Sequence, residues 1–403
     1  MSLVKILLIN DYATPTGGAE IQMLALRAGL RQRGHDARLF ASSARPTADE
    51  NLADYECLGT TSRFRTLLQT ANPWAFWQLR RVLADFQPDV VHARLFLTQL
   101  SPLILPLLKG VPSLYHVVWY RPICPLGTKT LPDGTACHVP AGTACYRNEC
   151  LPLRDWLPLM LQMKLWQHWR NAFNLIVANS DAVKRRLLAE GIKSVEIVRN
   201  GVPVRSPRPP LSAPPTVAFA GRLVREKGPE VLIRAFAKVV TQISNARLLL
   251  AGEGLERERL DKLIADLNLS SSVSMLGHLP RPEIERRFAA AWVQAVPSCW
   301  EEPFANVALE AMMRGTAVVA SDAGGLTEIV HHGRTGFLVP PGDADALAEA
   351  LLHLLQDVRL AERMGRCGRE IALTHFSQET CMDRFLHWYQ VLRDNNEAGS
   401  SGR

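Results

Sequence analysis

Short apolar runs alternate with longer amphipathic stretches along the first 200 residues of the chain. The short runs suit strands that are buried on both faces, and the amphipathic stretches have the spacing of helices that cover a sheet. A helix is predicted over residues 19–33, directly after the glycine pair Gly17-Gly18. Strands are predicted at residues 3–9, 37–41, 89–93, 113–118, 175–179 and 195–199. This alternation is typical of an α/β protein with a parallel, doubly wound sheet.

The same alternation resumes after a stretch of six prolines at residues 201–215. Strands are predicted at 217–220, 247–251, 273–276, 293–296, 317–320 and 337–339, and helices at 344–356, 359–372 and 378–392. We therefore predict two Rossmann-like domains, at 1–200 and 216–375, joined by a proline-rich linker at 201–215. They are expected to face each other across a cleft at the carboxyl ends of their strands, where such sheets bind ligands. A helix over 376–393 should cross back to the first domain, and the polar tail at 394–403 should be disordered.

The excess of basic residues lies entirely in the first half of the chain. Residues 1–200 hold 23 Lys and Arg against 15 Asp and Glu, whereas residues 201–403 hold 23 against 24. A basic half suits an anionic acceptor or an anionic membrane surface better than a nucleic acid, and a solvated surface without a partner is the alternative. The chain starts without the apolar core of a signal peptide, and no apolar run reaches the ~18 residues of a spanning helix. We therefore expect a cytoplasmic protein, with the inner face of the membrane as a further possible location.

Two glutamates eight positions apart, Glu302 and Glu310, form the centre of the candidate chemistry. If Asn306 caps a helix, Glu302 lies in the loop before the helix and Glu310 about one turn inside it. The free amides of the helix N-terminus can then hold phosphate, while the carboxylates accept hydrogen bonds from sugar hydroxyls. The alternative is that Glu302 merely caps the helix and that Glu310 is solvated.

Arg222 and Lys227 follow the first strand of the second domain and should project from its carboxyl end. A guanidinium and an ammonium together suit a diphosphate, and two solvated cations are the alternative. The glycine pair Gly17-Gly18 would let the backbone approach an anionic ligand, although a glycine pair alone is a weak signal and favours a plain turn. The single Asp-x-Asp sequence, Asp343-Ala344-Asp345, is interpreted as a helix start and not as a metal clamp.

Two further stretches of the first domain are unusual. Four cysteines and His138 lie in a glycine- and proline-rich loop at 121–150, with spacings that fit no standard zinc pattern. A zinc clip, a disulfide clip and free thiols stay open for these cysteines: Cys124, Cys137, Cys145 and Cys150. Next comes an amphipathic aromatic stripe that could lie on a membrane, although such stripes more often pack in a core. The stripe comprises Trp156, Met160, Met163, Trp166 and Trp169, with Lys164 and Arg170 nearby.

Several of these motifs together resemble the retaining glycosyltransferases of family 4, the glycogen-synthase-like group with the GT-B fold. The resemblance rests on GRLVREKG, AGEG, the Glu302–Glu310 pair within PSCWEEPFANVALEAMMRG, SDAGGLTEIV and TGFLVPPGD. In the first half GGAE, VVHA, ANSDAVKRRL and VRNGV are similar to the family pattern but less specific.

The resemblance implies a role for each matching position. Glu302 would bind hydroxyls of the donor sugar, and Glu310 would bind the ribose. Arg222 and Lys227 would neutralise the leaving diphosphate, helped by backbone amides and by the glycine pair. Those amides belong to Phe304, Ala305 and Asn306, with Gly17 and Gly18 in the other domain. His116 would face the donor sugar, although the next residue is Val where related sequences often carry an acid.

The resemblance also implies a reaction. A sugar would move from a nucleotide-diphosphate-sugar donor to a hydroxyl of a glycan or lipid-linked acceptor, with retained configuration, no protein nucleophile, no cofactor and no metal. Preorganised cations and amides around the leaving oxygens would supply most of the acceleration. The alternatives are a sugar-nucleotide epimerase or hydrolase, or a non-catalytic sugar-nucleotide-binding protein of the same architecture.

Overall fold

The structure, a computed structural model, describes residues 3–15, 17–47 and 50–401. The chain divides into two compact units. The first unit contains the chain up to Pro132, Cys137–Arg199 and the residues from Cys381 onwards, and the second contains Asp133–Ala136 and Asn200–Thr380.

The first unit contains a seven-stranded sheet in the order β3-β2-β1-β4-β5-β6-β7, with every neighbouring pair parallel. Its strands are β1 Lys5–Ile9, β2 Asp36–Ser42, β3 Tyr55–Cys57, β4 Val90–Ala93, β5 Ser113–Val117, β6 Leu175–Ala178 and β7 Val195–Ile197. Its helices are α1 Gly18–Gln32, α2 Arg65–Thr70, α3 Pro73–Phe86, α4 Ala144–Arg147, α5 Leu153–Trp169 and α6 Asp181–Ala189. A 3-10 helix, Pro102–Leu108, packs against α3 and α5. The central strands β4 and β5 are buried throughout, as their continuous apolar sequences predict.

The second unit contains a six-stranded parallel sheet in the order β10-β9-β8-β11-β12-β13. Its strands are β8 Thr216–Ala220, β9 Arg247–Ala251, β10 Val273–Gly277, β11 Val293–Val296, β12 Ala317–Ser321 and β13 Gly336–Val339. Its helices are α7 Pro229–Gln242, α8 Arg257–Asp266, α9 Arg281–Arg287, α10 Asn306–Met313, α11 Leu326–Ile329, α12 Ala344–Gln356 and α13 Val358–His375. In this sheet the strand order reverses at β8 and β11, which is where parallel sheets of this kind bind ligands.

The last helix, α14 Gln378–Ser401, belongs to the first unit from Cys381 onwards. Its residues Phe385 and Tyr389 pack in the core cluster that also contains Leu114 of β5. The helix continues through Ser401, so the prediction of a disordered tail is wrong for residues 394–401. Once the buried part has formed, each added residue closes one more hydrogen bond, and Gln390 Nε2 donates to Asp394 Oδ1 at 2.6 Å.

The predicted linker at 201–215 has no helix or strand but packs on the second unit. The Arg208 amide donates to the Arg314 carbonyl oxygen at 2.8 Å, and the Arg208 guanidinium pairs with Glu362 at 3.1 Å. The stretch is therefore an irregular segment that is held on the surface of this unit by hydrogen bonds and an ion pair. The short strand β3 was missed because it has three residues and only one of them is buried.

The α/β architecture with two Rossmann-like sheets is confirmed. Asp343 caps α12 by accepting hydrogen bonds from the amides of Asp345 and Ala346, both at 2.9 Å, so the Asp-x-Asp sequence is a helix start. Among the residues that the structure describes, no helix is both long and apolar enough to cross a bilayer.

Candidate active site

Three loops meet at the carboxyl ends of β8, β11 and β12. These strands are parallel neighbours, so the loops that follow them emerge at one edge of the sheet. Backbone hydrogen bonds tie the loops together. The Cys299 amide donates to the Glu226 carbonyl oxygen at 2.9 Å, and the Gly325 amide donates to the Glu302 carbonyl oxygen at 2.7 Å. Residues 75 positions apart in the chain, such as Lys227 and Glu302, are thereby brought into contact.

Two glycines allow these loops to approach each other closely. Gly228 has a φ of +67°, and a Cβ there would lie 1.9 Å from the Pro297 carbonyl oxygen. Gly324 has a φ of +58°, and its Cβ would lie 2.3 Å from the Glu302 carbonyl oxygen. At both positions the backbone is left-handed, and a Cβ would overlap a carbonyl oxygen of the neighbouring loop. Only glycine therefore fits at either position.

The Glu302 carboxylate is buried and accepts hydrogen bonds from three side chains. Lys227 Nζ donates to Oε1 at 2.5 Å and to Oε2 at 2.8 Å. Ser298 Oγ donates to Oε2 at 2.9 Å, and Trp300 Nε1 donates to the same oxygen at 3.0 Å. A buried carboxylate with a cation and two neutral donors is held in one orientation, because losing any partner leaves charge uncompensated.

The two predicted cations differ in their surroundings. Lys227 ends a 3-10 turn, Arg225–Lys227, and its ammonium lies 5.6 Å from the centre of the Trp300 ring as well as on Glu302. Arg222 is two-thirds exposed, with Glu226 at 3.6 Å. The structure therefore brings Lys227 and Glu302 together and leaves the Arg222 guanidinium at the solvent side of the same loop.

Helix α10 begins at Asn306, with Ala305 as its N-cap and without a side-chain cap. The prediction that Asn306 caps this helix is wrong, because Phe304 and Ala305 are buried in the core and place Asn306 at the first helical position. The Asn306 side chain instead accepts a hydrogen bond from Asn200 Nδ2 at 3.1 Å. A helix end without a side-chain cap keeps its first amides available for an anion.

Glu310 lies on the fifth residue of α10, and its carboxylate pairs with Arg281 of α9 at 2.8 Å. Desolvation by the surrounding protein raises the pKa of Glu310, although about a third of the side chain reaches solvent. The charges of Arg281 and Arg314 oppose this rise. Glu310 is therefore a paired, partly exposed carboxylate and not the free solvated residue of the alternative.

The first unit has a cavity of about 610 Å³ beside the start of α1. Gly18 is the first residue of α1, and Gly17 is its N-cap with an extended backbone, φ −142°. Tyr12 after β1, Thr98 after β4 and Trp119 after β5 also line the cavity. Its wall is mixed, with Glu20, Arg65, Arg121 and Asp155 beside Leu126, Leu151 and Leu159. Such a lining suits a ligand with both polar and apolar parts.

The charged groups of this cavity are tied to the protein. Arg121 is buried and donates to Gln162 Oε1 at 2.9 Å and to the Leu97 carbonyl oxygen at 3.2 Å. Burial lowers the pKa of Arg121 to about 10 and raises that of Glu20. Asp11, behind the cavity, accepts hydrogen bonds from the amides of Thr98 and Gln99 at 2.8 and 2.7 Å. These bonds fix the loop that follows β4.

Two family models match the chain in succession. The model described as Glycosyltransferase Family 4 matches residues 16–206, and the model described as Glycosyl transferases group 1 matches residues 205–371. Together they cover residues 16–371, which include the second sheet, the first sheet apart from β1, and the loops that carry Lys227 and Glu302.

The chain belongs to the group 1, family 4 glycosyltransferases.

Curated relatives of this family match about half of the chain. A glycogen synthase of Mycobacterium tuberculosis is 31% identical over 198 residues, which is 48% of this chain and 48% of that protein. The lipopolysaccharide core biosynthesis glycosyltransferase LpsE of Rhizobium meliloti is 33% identical over 227 residues, 54% of this chain and 64% of LpsE. The chain thus spans about half the length of the curated relatives it matches.

Solved structures share the GT-B fold over nearly the whole chain. Sucrose-phosphate synthase from Thermosynechococcus elongatus superposes with a TM-score of 0.73 at 23% identity, covering 96% of this chain and 98% of that one. HepE of Anabaena, in complex with UDP and glucose, gives 0.68 at 22% identity, covering 95% and 98%. At these identities the likeness concerns the fold.

His116 does not lie where the family resemblance implies. Along β5 its neighbour Tyr115 packs against Trp166 on one face of the sheet, so the His116 side chain points to the other face, under Phe385 of α14. His116 is 1% exposed, and within the described part of the chain neither ring nitrogen has a hydrogen-bond partner. Burial holds the pKa of His116 well below its usual value. In this structure the ring therefore lies in the core of the first unit, and its contact with a donor stays a prediction.

The aromatic stripe of α5 is buried at two of its five residues and half-buried at the other three. Met163 and Trp166 are buried, and Trp166 Nε1 donates to the Pro122 carbonyl oxygen at 3.0 Å. The membrane interpretation of this stripe is therefore wrong for its central residues.

The cysteines of the 121–150 loop are free thiols in the structure. Burial, and then the neighbouring thiols, raise the pKa of Cys145 and of Cys150, which favours the neutral thiol. Within the described ranges, no three His, Cys, Asp or Glu side chains are placed to hold a metal ion.

Sequence reasoning missed three residues of the second unit's site: Ser298, Trp300 and Arg281. Ser298 and Trp300 lie in the same loop as Glu302, four and two positions before it. Their hydrogen bonds to the Glu302 carboxylate could therefore have been predicted from the sequence. Arg281 gave no such signal, because it reaches Glu310 from another helix, 29 positions away.

Proposed function

We propose that the protein transfers a sugar from a nucleotide-diphosphate-sugar donor to a hydroxyl of a glycan or lipid-linked acceptor. The observation that carries this proposal is the contact of Lys227 with Glu302 at the carboxyl edge of the second sheet, beside the uncapped start of α10. The positive group and the free amides suit the diphosphate of such a donor, and the fixed carboxylate suits the hydroxyls of its sugar.

The diphosphate binds to Lys227 and Arg222. Arg222 is exposed on its loop, and Lys227 can exchange one carboxylate oxygen for a phosphate oxygen while its other contact with Glu302 remains. As the C1–O bond breaks, negative charge grows on the leaving oxygens, and these two cations together with the α10 amides stabilise it. The amides belong to the turn at Phe304, Ala305 and Asn306.

The sugar and the nucleoside bind to the two carboxylates. Glu302 accepts hydrogen bonds from sugar hydroxyls, and Ser298 and Trp300 keep its second oxygen oriented. Glu310 accepts hydrogen bonds from the ribose, in competition with Arg281. HepE has been crystallised with UDP-glucose, so UDP-glucose heads the list of donors to test.

The acceptor is assigned to the cavity of the first unit. Its mixed wall suits a glycan or the head of a lipid-linked sugar, with the start of α1 at Gly18 supplying amides. A lipid-linked acceptor implies a cytoplasmic enzyme at the inner face of the membrane.

The reaction proposed is a retaining one without a catalytic metal. The acceptor hydroxyl enters on the face from which the diphosphate leaves and passes its proton to a departing phosphate oxygen, so no protein nucleophile is required. Lys227 and Arg222 neutralise the charge that a metal ion would otherwise neutralise.

A thermal-shift panel of sugar nucleotides tests the proposal. A donor at 100 times its Kd should stabilise the protein by about 2.7 kcal/mol. Lys227→Ala should lose the shift, whereas Lys238→Ala, an exposed lysine of α7, should keep it. Turnover in EDTA and the anomeric configuration of the product by NMR then test the absence of a metal and retention. Release of free sugar in the absence of any acceptor would instead indicate a hydrolase.

A further inference from the structure

The helices α2, α3 and α5 cover one face of the first sheet and carry large apolar side chains on their outer surface. On α5 the exposed residues Leu153, Leu157 and Leu161 are four positions apart and form one stripe. This stripe is distinct from the aromatic stripe, which faces inward. Leu157 is 59% exposed, which is far from the burial that leucine usually reaches in a core.

Exposed apolar side chains also lie on α2, which contacts α5, and on α3, which contacts the 3-10 helix Pro102–Leu108 beside α5. Helix α2 packs on α5, where Thr70 Oγ1 donates to the Pro158 carbonyl oxygen at 3.0 Å, and it exposes Phe64 and Leu67. Helix α3 begins three residues after α2 ends and exposes Trp74 and Trp77. We call these seven side chains the outer apolar patch. Patches of this extent mark interaction sites on soluble domains.

The charge around the outer apolar patch is positive. Residues 58–84 contain Arg63, Arg65, Arg80 and Arg81 and no acidic residue, and α5 adds Arg154 and Lys164. The one acid of α5, Asp155, accepts a hydrogen bond from Thr66 Oγ1 of α2 at 3.3 Å and pairs with Arg154 at 3.4 Å. Asp85, near the end of α3, is exposed, so the three helices and Arg63 carry six basic residues against two acids. Tryptophan and leucine interleaved with an excess of arginine complement a surface that is apolar below and anionic above.

From these observations we propose that the outer apolar patch docks the protein onto an anionic lipid bilayer. The leucines, Phe64 and the tryptophans enter the headgroup region, and the arginines contact lipid phosphates. Arg65, Thr66, Asp155 and Leu159 of the same two helices line the cavity of the first unit. Docking therefore brings that cavity next to the bilayer. This proposal does not rest on the transfer reaction, because it concerns binding in the absence of any donor.

Co-sedimentation with lipid vesicles tests the proposal. The wild-type protein should pellet with phosphatidylcholine vesicles that contain about 30 mol% phosphatidylglycerol, and a smaller fraction should pellet in high salt. It should remain in solution with vesicles of pure phosphatidylcholine. The double variant Leu157→Ser/Leu161→Ser should lower the partition coefficient by about a hundredfold. Arg80→Ser/Arg81→Ser should lower it by about tenfold or more.

The matched control is Leu255→Ser, which removes the almost fully exposed leucine before α8 in the second unit. It should leave vesicle binding unchanged. All variants alter exposed side chains, so their melting temperatures should stay within a few degrees of wild type, and a variant that melts much lower is replaced by its single substitutions.

Three outcomes would overturn the proposal. The first is that wild-type protein stays in solution with anionic vesicles. The second is that both double variants bind as tightly as wild type. The third is that analytical ultracentrifugation finds a dimer that Leu157→Ser/Leu161→Ser converts to a monomer without any vesicle binding, which would make the patch a contact between two copies of this chain.

Discussion

The two sheets of the protein carry different kinds of candidate site. At the edge of the second sheet, Lys227, Ser298 and Trp300 all bind one buried carboxylate, that of Glu302. Beside the first sheet lies a cavity of about 610 Å³ whose charged groups, such as Arg121, bind their own framework. The cluster around Glu302 fixes the positions of charged groups, whereas the cavity beside the first sheet has walls of fixed shape. A transferase needs both, one for the leaving group and one for the molecule that receives the sugar.

The largest expected effect concerns Gly228, the glycine that permits the close packing of loops at the edge of the second sheet. Gly228→Ala should destabilise the protein by about 3 kcal/mol or more, because the new Cβ meets the Pro297 carbonyl oxygen in a left-handed backbone. The control is Gly342→Ala, which has a φ of +79° but open space around it and should cost only about 1 kcal/mol. Urea unfolding of both variants measures the difference, and equal losses would contradict the close approach of the loops.

A second prediction concerns the buried histidine of the first unit and depends on pH. Since burial lowers the pKa of His116, the unfolded chain binds a proton below pH ~6.5 that the folded protein does not bind. Stability should therefore fall as the pH drops below ~6.5. His116→Leu should make the slope shallower by up to about 1.4 kcal/mol per pH unit.

The same variant tests the catalytic assignment of His116. If the ring is a core group, His116→Leu should change turnover by less than about fivefold, because its nitrogens bind nothing in the described structure. A fall of a hundredfold with unchanged stability would show that the histidine reaches the substrate in another conformation. Unfolding curves at pH 5 to 7.5 and steady-state rates provide the two readouts.

The contrast between His116 and Lys227 explains how much of the site the sequence could reveal. Lys227 and Glu302 lie in loops after strand ends, and parallel neighbouring strands bring such loops together, so their convergence was predictable. His116 lies inside β5, where alternation sends its side chain to one face of the sheet. Which face it takes depends on a helix 269 positions away, at Phe385, and no local pattern contains that information.

Most of the fold was predictable for a related reason. Twelve of the thirteen strands in the described structure coincide with apolar runs that are visible in the sequence, and β3 was missed because its three residues, Tyr55 to Cys57, form no such run. The end of α14 was misjudged because its polar last turns have no apolar signal, although helix propagation carries them. The start of α10 was misplaced by one residue because burial of Phe304 and Ala305 outweighs the capping preference of Asn306.

A third prediction concerns a residue that the sequence did not reveal. Trp300→Phe should weaken donor binding by about fivefold, because one of the hydrogen bonds that orient Glu302 Oε2 is lost while Ser298 and Lys227 remain. The control is Trp292→Phe, whose indole donates to the Ser212 carbonyl oxygen at 2.8 Å in the same unit. It should lose a similar amount of stability without a change in donor affinity. Equal affinities for all three proteins would remove Trp300 from the site.

The smallest effect is expected at the glycine pair of the first unit. Gly17→Ala should cost less than about 0.5 kcal/mol, because its backbone is extended and the new Cβ meets only the far end of the Glu20 side chain and no backbone atom. Chemical denaturation checks this value. A loss above 2 kcal/mol would mean that the start of α1 is as tightly constrained as Gly228, and the contrast between the units would disappear.

The central claim is that Lys227 binds the diphosphate of the donor, and calorimetry tests it most directly. The nucleoside diphosphate of the best donor and the matching nucleoside are each titrated into wild-type protein and into Lys227→Ala. We predict that wild-type protein binds the diphosphate about a hundredfold or more tightly than the nucleoside, and that the variant loses most of this preference while its affinity for the nucleoside stays the same. A preference that survives in Lys227→Ala would contradict the account.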